Sequence, residues 1–233
     1  VDNSGNNLVV IRNGDTSVQR FNPFGTTIQS PLSYSGFFDG TGDYLSTPSS
    51  VSTSSGWNLM SPSATGTFEA WVYRTFSDII RVIVSCLDIG ASYTGWYIQM
   101  MTGGNIRVDG YISGNNVPPA IISTGTVPIN TWTHIAVTCV NGAITFYING
   151  IASGSGTMGG TWQVSTSTAT PTQIAAAYIP WNNFFIGSIS NVRMVKDVAV
   201  YTGAFTPPTS PLTATQTSGT NIVAITGVQT SLL

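Results

Sequence analysis

Proton-moving side chains are scarce in this sequence: one glutamate, Glu69, and one histidine, His134. Glu69 lies in the run Thr67–Thr75, rich in β-branched and aromatic residues. In an extended strand its face is shared by Trp71 and Tyr73. Cleaving a glycosidic bond takes two carboxylates that flank it, one as acid and one as nucleophile or base. No second acid stands on that face, and no Glu-x-Asp-x-x-Glu pattern occurs. His134 sits in a strand-like run with no serine or cysteine arranged as its partner nucleophile, so packing or a hydrogen bond is its expected role. The chain is therefore expected to be no enzyme. Two cysteines and one histidine fall short of the four ligands of a structural zinc site. Cys86 and Cys139 are expected to be buried free thiols; a disulfide would need their Cα atoms within about 7 Å, which spacing does not decide.

Aromatic residues beside amides are the other chemistry on offer. A sugar site stacks a ring on the apolar face of a pyranose and surrounds it with polar groups. Three segments have that make-up: Tyr178 with Trp181, Asn182 and Asn183; Tyr111 with Asn115 and Asn116; and Trp162 in a Ser/Thr-rich stretch. Each reads equally as a plug over the core or a contact to a neighbouring subunit. Trp71, Trp96 and Trp132 lie in strand-like runs and are expected in the core.

The composition narrows the setting. Charged residues are 7% of the 233 residues, against about 25% in ordinary soluble domains. The surface must be covered by Ser, Thr, Asn and Gly, as suits a chain that packs on neighbours or stands outside cells. The net charge is −2 and the seven Lys and Arg are scattered, so the clustered basic footprint that nucleic acid requires is missing. No apolar run approaches the roughly 20 residues of a membrane helix, and no secretory signal opens the chain. Because Val1 is not an initiator Met, a processed chain or a piece of a longer product is expected.

The elements that must position these residues are strands. Stretches of helical periodicity are nearly absent, and short β-branched and aromatic runs recur between Gly, Pro, Asn and Ser clusters. They are Asn7–Arg12, Tyr34–Asp39, Thr67–Thr75, Asp78–Leu87, Gly95–Met101, Asn105–Ile112, Ala120–Ser123, Thr131–Val140, Ala143–Asn149, Gln173–Ala177 and Asn183–Val195. Gly103-Gly104, Asn141-Gly142 and Asn149-Gly150 read as tight turns, so Thr131 to Gly156 is predicted to be a three-stranded meander. Ile135, Val137 and Cys139 alternate with His134, Ala136 and Thr138, so one face of that strand is buried and the other is solvated or covered by a second layer. Ser46–Gly66 and Ser153–Pro171 read as long loops. The terminal runs Asn7–Arg12 and Asn221–Val228 are predicted to pair either with each other or with a neighbouring copy. The expected fold class is all-β: a jelly-roll sandwich of two antiparallel sheets.

Five ordered runs carry a resemblance: Phe38–Leu45, Phe68–Tyr73, Asn130–Thr138, Thr145–Gly150 and Phe185–Arg193. In this order they resemble the laminin-G-like, concanavalin A-like lectin/glucanase superfamily over about Tyr34 to Val200. The resemblance implies one unit spanning 1–233 with a core near 34–200. Some relatives hydrolyse glycans through clustered acids that this chain lacks. Many carry a structural Ca²⁺, which takes six to eight hard oxygens. By resemblance Asp39 and then Asp43 of Asp39-Gly40-Thr41-Gly42-Asp43 would be its ligands; the residues by themselves favour a turn whose Asp side chains cap local N–H groups. Asp2–Asn7, Asn13-Gly14-Asp15 and Ala199–Pro208 further resemble units in structural proteins of marine bacteriophages, often in tandem. The implied role is a non-enzymatic virion module, a capsid decoration, fibre or appendage, that contacts neighbouring copies, other virion proteins and host-surface glycans. The other reading is a carbohydrate-binding adhesin module of a secreted or cell-surface protein. Both place it on a virion surface or otherwise outside cells, without organic cofactor, nucleic acid or membrane insertion.

Overall fold

The computed structural model describes residues 2–25, 33–48, 59–88, 94–112, 115–116, 120–159, 171–177 and 183–233. Among them there is no helix, and strands form two large antiparallel sheets. Sheet I runs in the order β1 (Ile11–Asn13), β4 (Tyr44–Ser46), β14 (Gln173–Ile174), β6 (Arg81–Asp88), β7 (Thr94–Met100), β8 (Asn105–Ile112) and β10 (Ile121–Thr126), with β9 (Asn115–Asn116) added on β8. Sheet II runs β13 (Ile151–Thr157), β12 (Ala143–Ile148), β11 (Thr133–Val140), β5 (Thr65–Arg74), β15 (Ile186–Lys196), β3 (Ser35–Asp39) and β2 (Ser17–Gln19), with β18 (Thr230–Leu232) beside β15. A small ribbon pairs β16 (Thr215–Gln216) with β17 (Ile225–Thr226). This is the predicted jelly-roll sandwich.

Alternation builds the core between the sheets. Phe68, Ala70 and Val72 of β5 and Ile135, Val137 and Cys139 of β11 share one cluster with Val84, Ile98 and Val108 of sheet I. Removing each such side chain from water contributes roughly 1.5–3 kcal/mol. Cys86 and Cys139 are free and buried, and burial pushes the Cys86 thiol up to about 12. The predicted meander is β11–β12–β13. Its turns place Asn141 and Gly142 at φ 49° and 82°, and Asn149 and Gly150 at φ 48° and 76°, the paired positive angles of type I′ hairpins.

Several sequence expectations need correcting. The Ser153–Pro171 loop begins too early, because β13 extends to Thr157. The run Asn221–Val228 forms only the short β17, and the terminal strand is β18. The ends close within one sandwich: β1 pairs with β4 and β18 with β15. Asn3 N–H donates to the Leu233 carbonyl (2.8 Å), and the Asp2 carboxylate accepts the N–H groups of Leu233, Ser4 and Leu8. Trp96 is in the core, but Trp71 and Trp132 are half-buried on the outer face of sheet II. Both faces of sheet II are thus packed. Val200, Tyr201, Phe205 and Ile225 of the C-terminal segment bury Ala136, Tyr147 and Val195 on that outer face.

Candidate functional site

The outer face of sheet I carries a polar and aromatic cluster that period-2 alternation assembles from two neighbouring strands. Tyr97 and Gln99 of β7 point away from the core occupied by Trp96, Ile98 and Met100. Arg107, Asp109 and Tyr111 of β8 do the same opposite Ile106 and Val108. Tyr97 pairs with Asp109 and Gln99 with Arg107 across the ladder. Three donors therefore meet one carboxylate oxygen: the Tyr97 hydroxyl (3.0 Å) and Gln99 Nε2 (3.2 Å) donate to Asp109 Oδ2, and Arg107 Nε lies 2.6 Å from it. The Arg107 contact is an ion pair without hydrogen-bond alignment. Asp109 Oδ1 is buried and accepts nothing. Burial raises the Asp109 carboxyl above its ordinary value against the pull of Arg107. Burial and the Asp109 charge raise the Tyr97 hydroxyl. The rings of Tyr97 and Tyr111 stack with centroids 6.0 Å apart, and Arg107 and Tyr111 form the half-buried rim.

A second cluster sits where β1 and β2 turn toward the β3–β4 loop. The carboxylates of Asp15, Asp39 and Asp43 bring ligand oxygens within 4.8 Å of one another. Asp43 is buried; it accepts the Asp15 N–H on Oδ1 (2.8 Å) and the Asp39 N–H on Oδ2 (3.2 Å). Asp39 Oδ1 accepts the Thr41 N–H (2.6 Å). So the capping reading of this loop is realised. The same geometry supplies hard oxygen donors, and none of the three Asp is ion-paired among the described residues.

Glu69 belongs to neither cluster. It is fully buried on the outer face of sheet II. Arg193 Nε donates to its Oε1 (2.8 Å), the Tyr201 hydroxyl to its Oε2 (2.6 Å), and His134 Nε2 lies 3.1 Å from Oε2. Burial pushes the Glu69 carboxyl up, but Arg193, His134 and Tyr201 outweigh it and hold it at about 2. Arg193 also donates to the Thr213 carbonyl (3.0 Å) and to Gln216. This carboxylate is a buried structural anchor that its three partners hold in the ionised form.

The predicted site residues divide accordingly. Tyr111 lies in the sheet I cluster, and Asp39 and Asp43 in the acidic one. Asn115 pairs through its backbone with Ile112. Asn183 uses its carbonyl to accept the Val82 N–H (2.8 Å), and its side chain is half-buried. Tyr178, Trp181, Asn182 and Trp162 lie outside the described residues. Sequence reasoning missed Asp15, Tyr97, Gln99, Arg107 and Asp109. The signal for the last four was the polar phase of two strands already identified, Tyr97-x-Gln99 and Arg107-x-Asp109-x-Tyr111.

Comparison with known proteins places this architecture. A family model described as the concanavalin A-like lectin/glucanases superfamily matches residues 39–208. No curated protein sequence matches significantly. Among solved structures the chain is similar to domain 4 of AbnA, a GH43 extracellular arabinanase from Geobacillus stearothermophilus, in complex with arabinotriose. That similarity has 20% identity and a TM-score of 0.50, over 83% of this chain and 85% of that one. It is also similar to a botulinum neurotoxin type C whose cell entry depends on interaction with two ganglioside molecules (14% identity, TM-score 0.52, 82% of this chain). The match spans 43% of the toxin chain. At these identities the likeness is one of fold.

Proposed function

The chain belongs to the concanavalin A-like lectin/glucanases superfamily, and from that premise we propose that it is a non-catalytic glycan-binding module. The carrying observation is Asp109, whose Oδ2 is held by Tyr97, Gln99 and Arg107 while its buried Oδ1 has no partner. Held against this buried carboxylate, the half-buried Arg107 guanidinium at the rim donates to a sugar hydroxyl with little ordering cost. The half-buried Tyr111 ring, backed by the buried Tyr97 ring at 6.0 Å, supplies the flat apolar surface that a pyranose face covers. Arabinotriose bound to one structural neighbour and the gangliosides of another support the same ligand class. The sparsely charged surface suits a module displayed on a virion or a cell surface, which is also where the marine-phage resemblance of Ala199–Pro208 points.

Tyr111→Ala and Arg107→Ala are each expected to weaken glycan-array binding at least tenfold, about 1.4 kcal/mol. Thermal unfolding should change little for Tyr111→Ala, whereas Arg107→Ala also removes the ion-pair partner of the buried Asp109 and should lower the melting temperature, so its binding is read on the folded chain. Array signals unaltered by both substitutions would remove this face from consideration.

The acidic cluster adds a metal to the proposal. Asp15, Asp39 and Asp43 would hold a calcium ion, since their repulsion has no protein cation to offset it among the described residues. The ion would fasten the β1–β2 turn to the β3–β4 loop. Millimolar Ca²⁺ is expected to raise the melting temperature on the order of 5 °C by binding only the folded chain. Asp15→Asn should abolish the rise. A melting curve that neither calcium nor chelator moves excludes the site.

A further inference from the structure

The outer face of sheet II holds a group of unsatisfied polar atoms under aromatic cover. Trp71 and His134 are direct cross-strand partners, and Trp132 and Tyr73 are the next pair on that face. The indole Nε1 atoms of Trp71 and Trp132 and Nδ1 of His134 are all buried without a hydrogen-bond partner. His134 is fully buried, and its other nitrogen is engaged by Glu69 at 3.1 Å. Buried polar atoms are nearly always paired with protein or bound solvent. With His134 Nε2 donating to the ionised Glu69, its Nδ1 accepts. Two indole N–H donors and one ring acceptor on one face therefore mark a place built to receive a group that both accepts and donates, as a sugar hydroxyl does.

Walls and cover are aromatic. Phe21 packs against Trp132 (5.2 Å) and Tyr73 (4.7 Å), and Phe24 against Trp71 (5.8 Å). Both phenylalanines come from the segment Phe21–Gly25 that follows β2. Ser35 Oγ donates to the Phe21 carbonyl (2.6 Å), while Asn22 bonds within the segment, to the Arg20 carbonyl and the Phe24 N–H. Phe21 remains 44% exposed, so this strap covers the tryptophans without being sealed in place.

We propose that the strap covers a second ligand site, for a neutral sugar ring, on Trp71, Tyr73, Trp132 and His134. The uncharged indole N–H groups favour hydroxyl and ring oxygens. The ionised Glu69 behind His134 disfavours an anion, and a cation offers the unpaired indole N–H groups no acceptor. Stacked rings bind the apolar sugar face once Phe21 and Phe24 swing aside. The inference shares its ligand class with the Asp109 site but not its residues.

Its test uses the full chain carrying Arg107→Ala and Tyr111→Ala, so that the sheet I face is silent. Arabinotriose, cellotriose and maltotriose are titrated at millimolar concentration by ligand-observed NMR. Saturable binding of at least one sugar is expected. Adding Trp71→Phe with Trp132→Phe, which keeps flat rings but deletes both N–H donors, should weaken it at least tenfold. Phe21→Ala should instead tighten it several-fold by removing cover. Should the Trp substitutions abolish binding while Arg107 and Tyr111 prove irrelevant, the sheet I site fails and this one stands. No saturable binding in the silent background, or binding indifferent to both Trp→Phe changes, overturns the proposal.

Discussion

Glu69→Ala is expected to destabilise the chain by about 3–5 kcal/mol in urea or thermal unfolding, the cost of stranding a buried cation. Arg193 is 1% exposed, and Glu69 is its charge partner, with Nη2 at 2.6 Å from Oε1 in addition to the Nε bond. Its remaining hydrogen bonds, to Thr213 and Gln216, go to neutral acceptors. The same carboxylate holds Tyr201, whose ring stacks on Phe205 at 3.6 Å, so its loss also loosens the C-terminal segment from the outer face. The sign with pH follows from the direction of the shift. Glu69 ionises at about 2 in the folded chain against 4.5 when unperturbed. Its stabilisation is therefore complete above about pH 4.5 and is lost as pH falls toward 2, an amount of about 3 kcal/mol. Acid unfolding of the alanine variant should be correspondingly shallower in that window. If the substitution left the unfolding midpoint unchanged, Glu69 would not be an anchor, and a chemical role for it would have to be reopened.

Gly187→Ala should be among the most damaging small substitutions, with a loss on the order of 4 kcal/mol or more and little folded protein at 37 °C. Gly187 stands in β15 at φ 127°, which L side chains rarely adopt. An added Cβ would lie 2.0 Å from the Tyr73 carbonyl oxygen and 3.1 Å from its carbon. That neighbour is backbone of the central strand β5. β15 cannot retreat, because β3 pairs on its other side with Phe38 opposite Gly187. A fair control is Gly42→Ala, also at positive φ (76°) but with nothing within 4 Å of the added carbon. Only the backbone conformation is penalised there, roughly 1–2 kcal/mol. Equal melting temperatures for the two variants would show that close packing of β15 on β5 is not what Gly187 provides.

The Glu69 effect has its origin in the crowded outer face of sheet II. In an exposed sheet, Glu69 would be a solvated residue and its replacement nearly neutral. Here the C-terminal segment forms a third layer over part of that face, which turns one carboxylate into a structural requirement. Glu69 and Arg193 are both buried beneath it, which leaves still fewer charges for the surface of a sparsely charged chain.

Strand positions, strand faces and hairpin turns were legible in the residues themselves, because each is set within a few positions of chain. Period-2 alternation separates Ile135, Val137 and Cys139 from His134, Ala136 and Thr138 wherever the strand lies. Asn141-Gly142 and Asn149-Gly150 carry their own positive φ. That the chain has a single glutamate was equally legible in the residues. Tertiary structure alone decided which outer faces are covered and which distant groups meet. Glu69 reaches His134, Arg193 and Tyr201 across 65, 124 and 132 residues because sheet order sets β5 between β11 and β15. Asp15 joins Asp43 across 28 residues by the same kind of closure. Alternation states that two faces exist; only the non-local order of strands, and the segments left over to cover them, determines what each face touches.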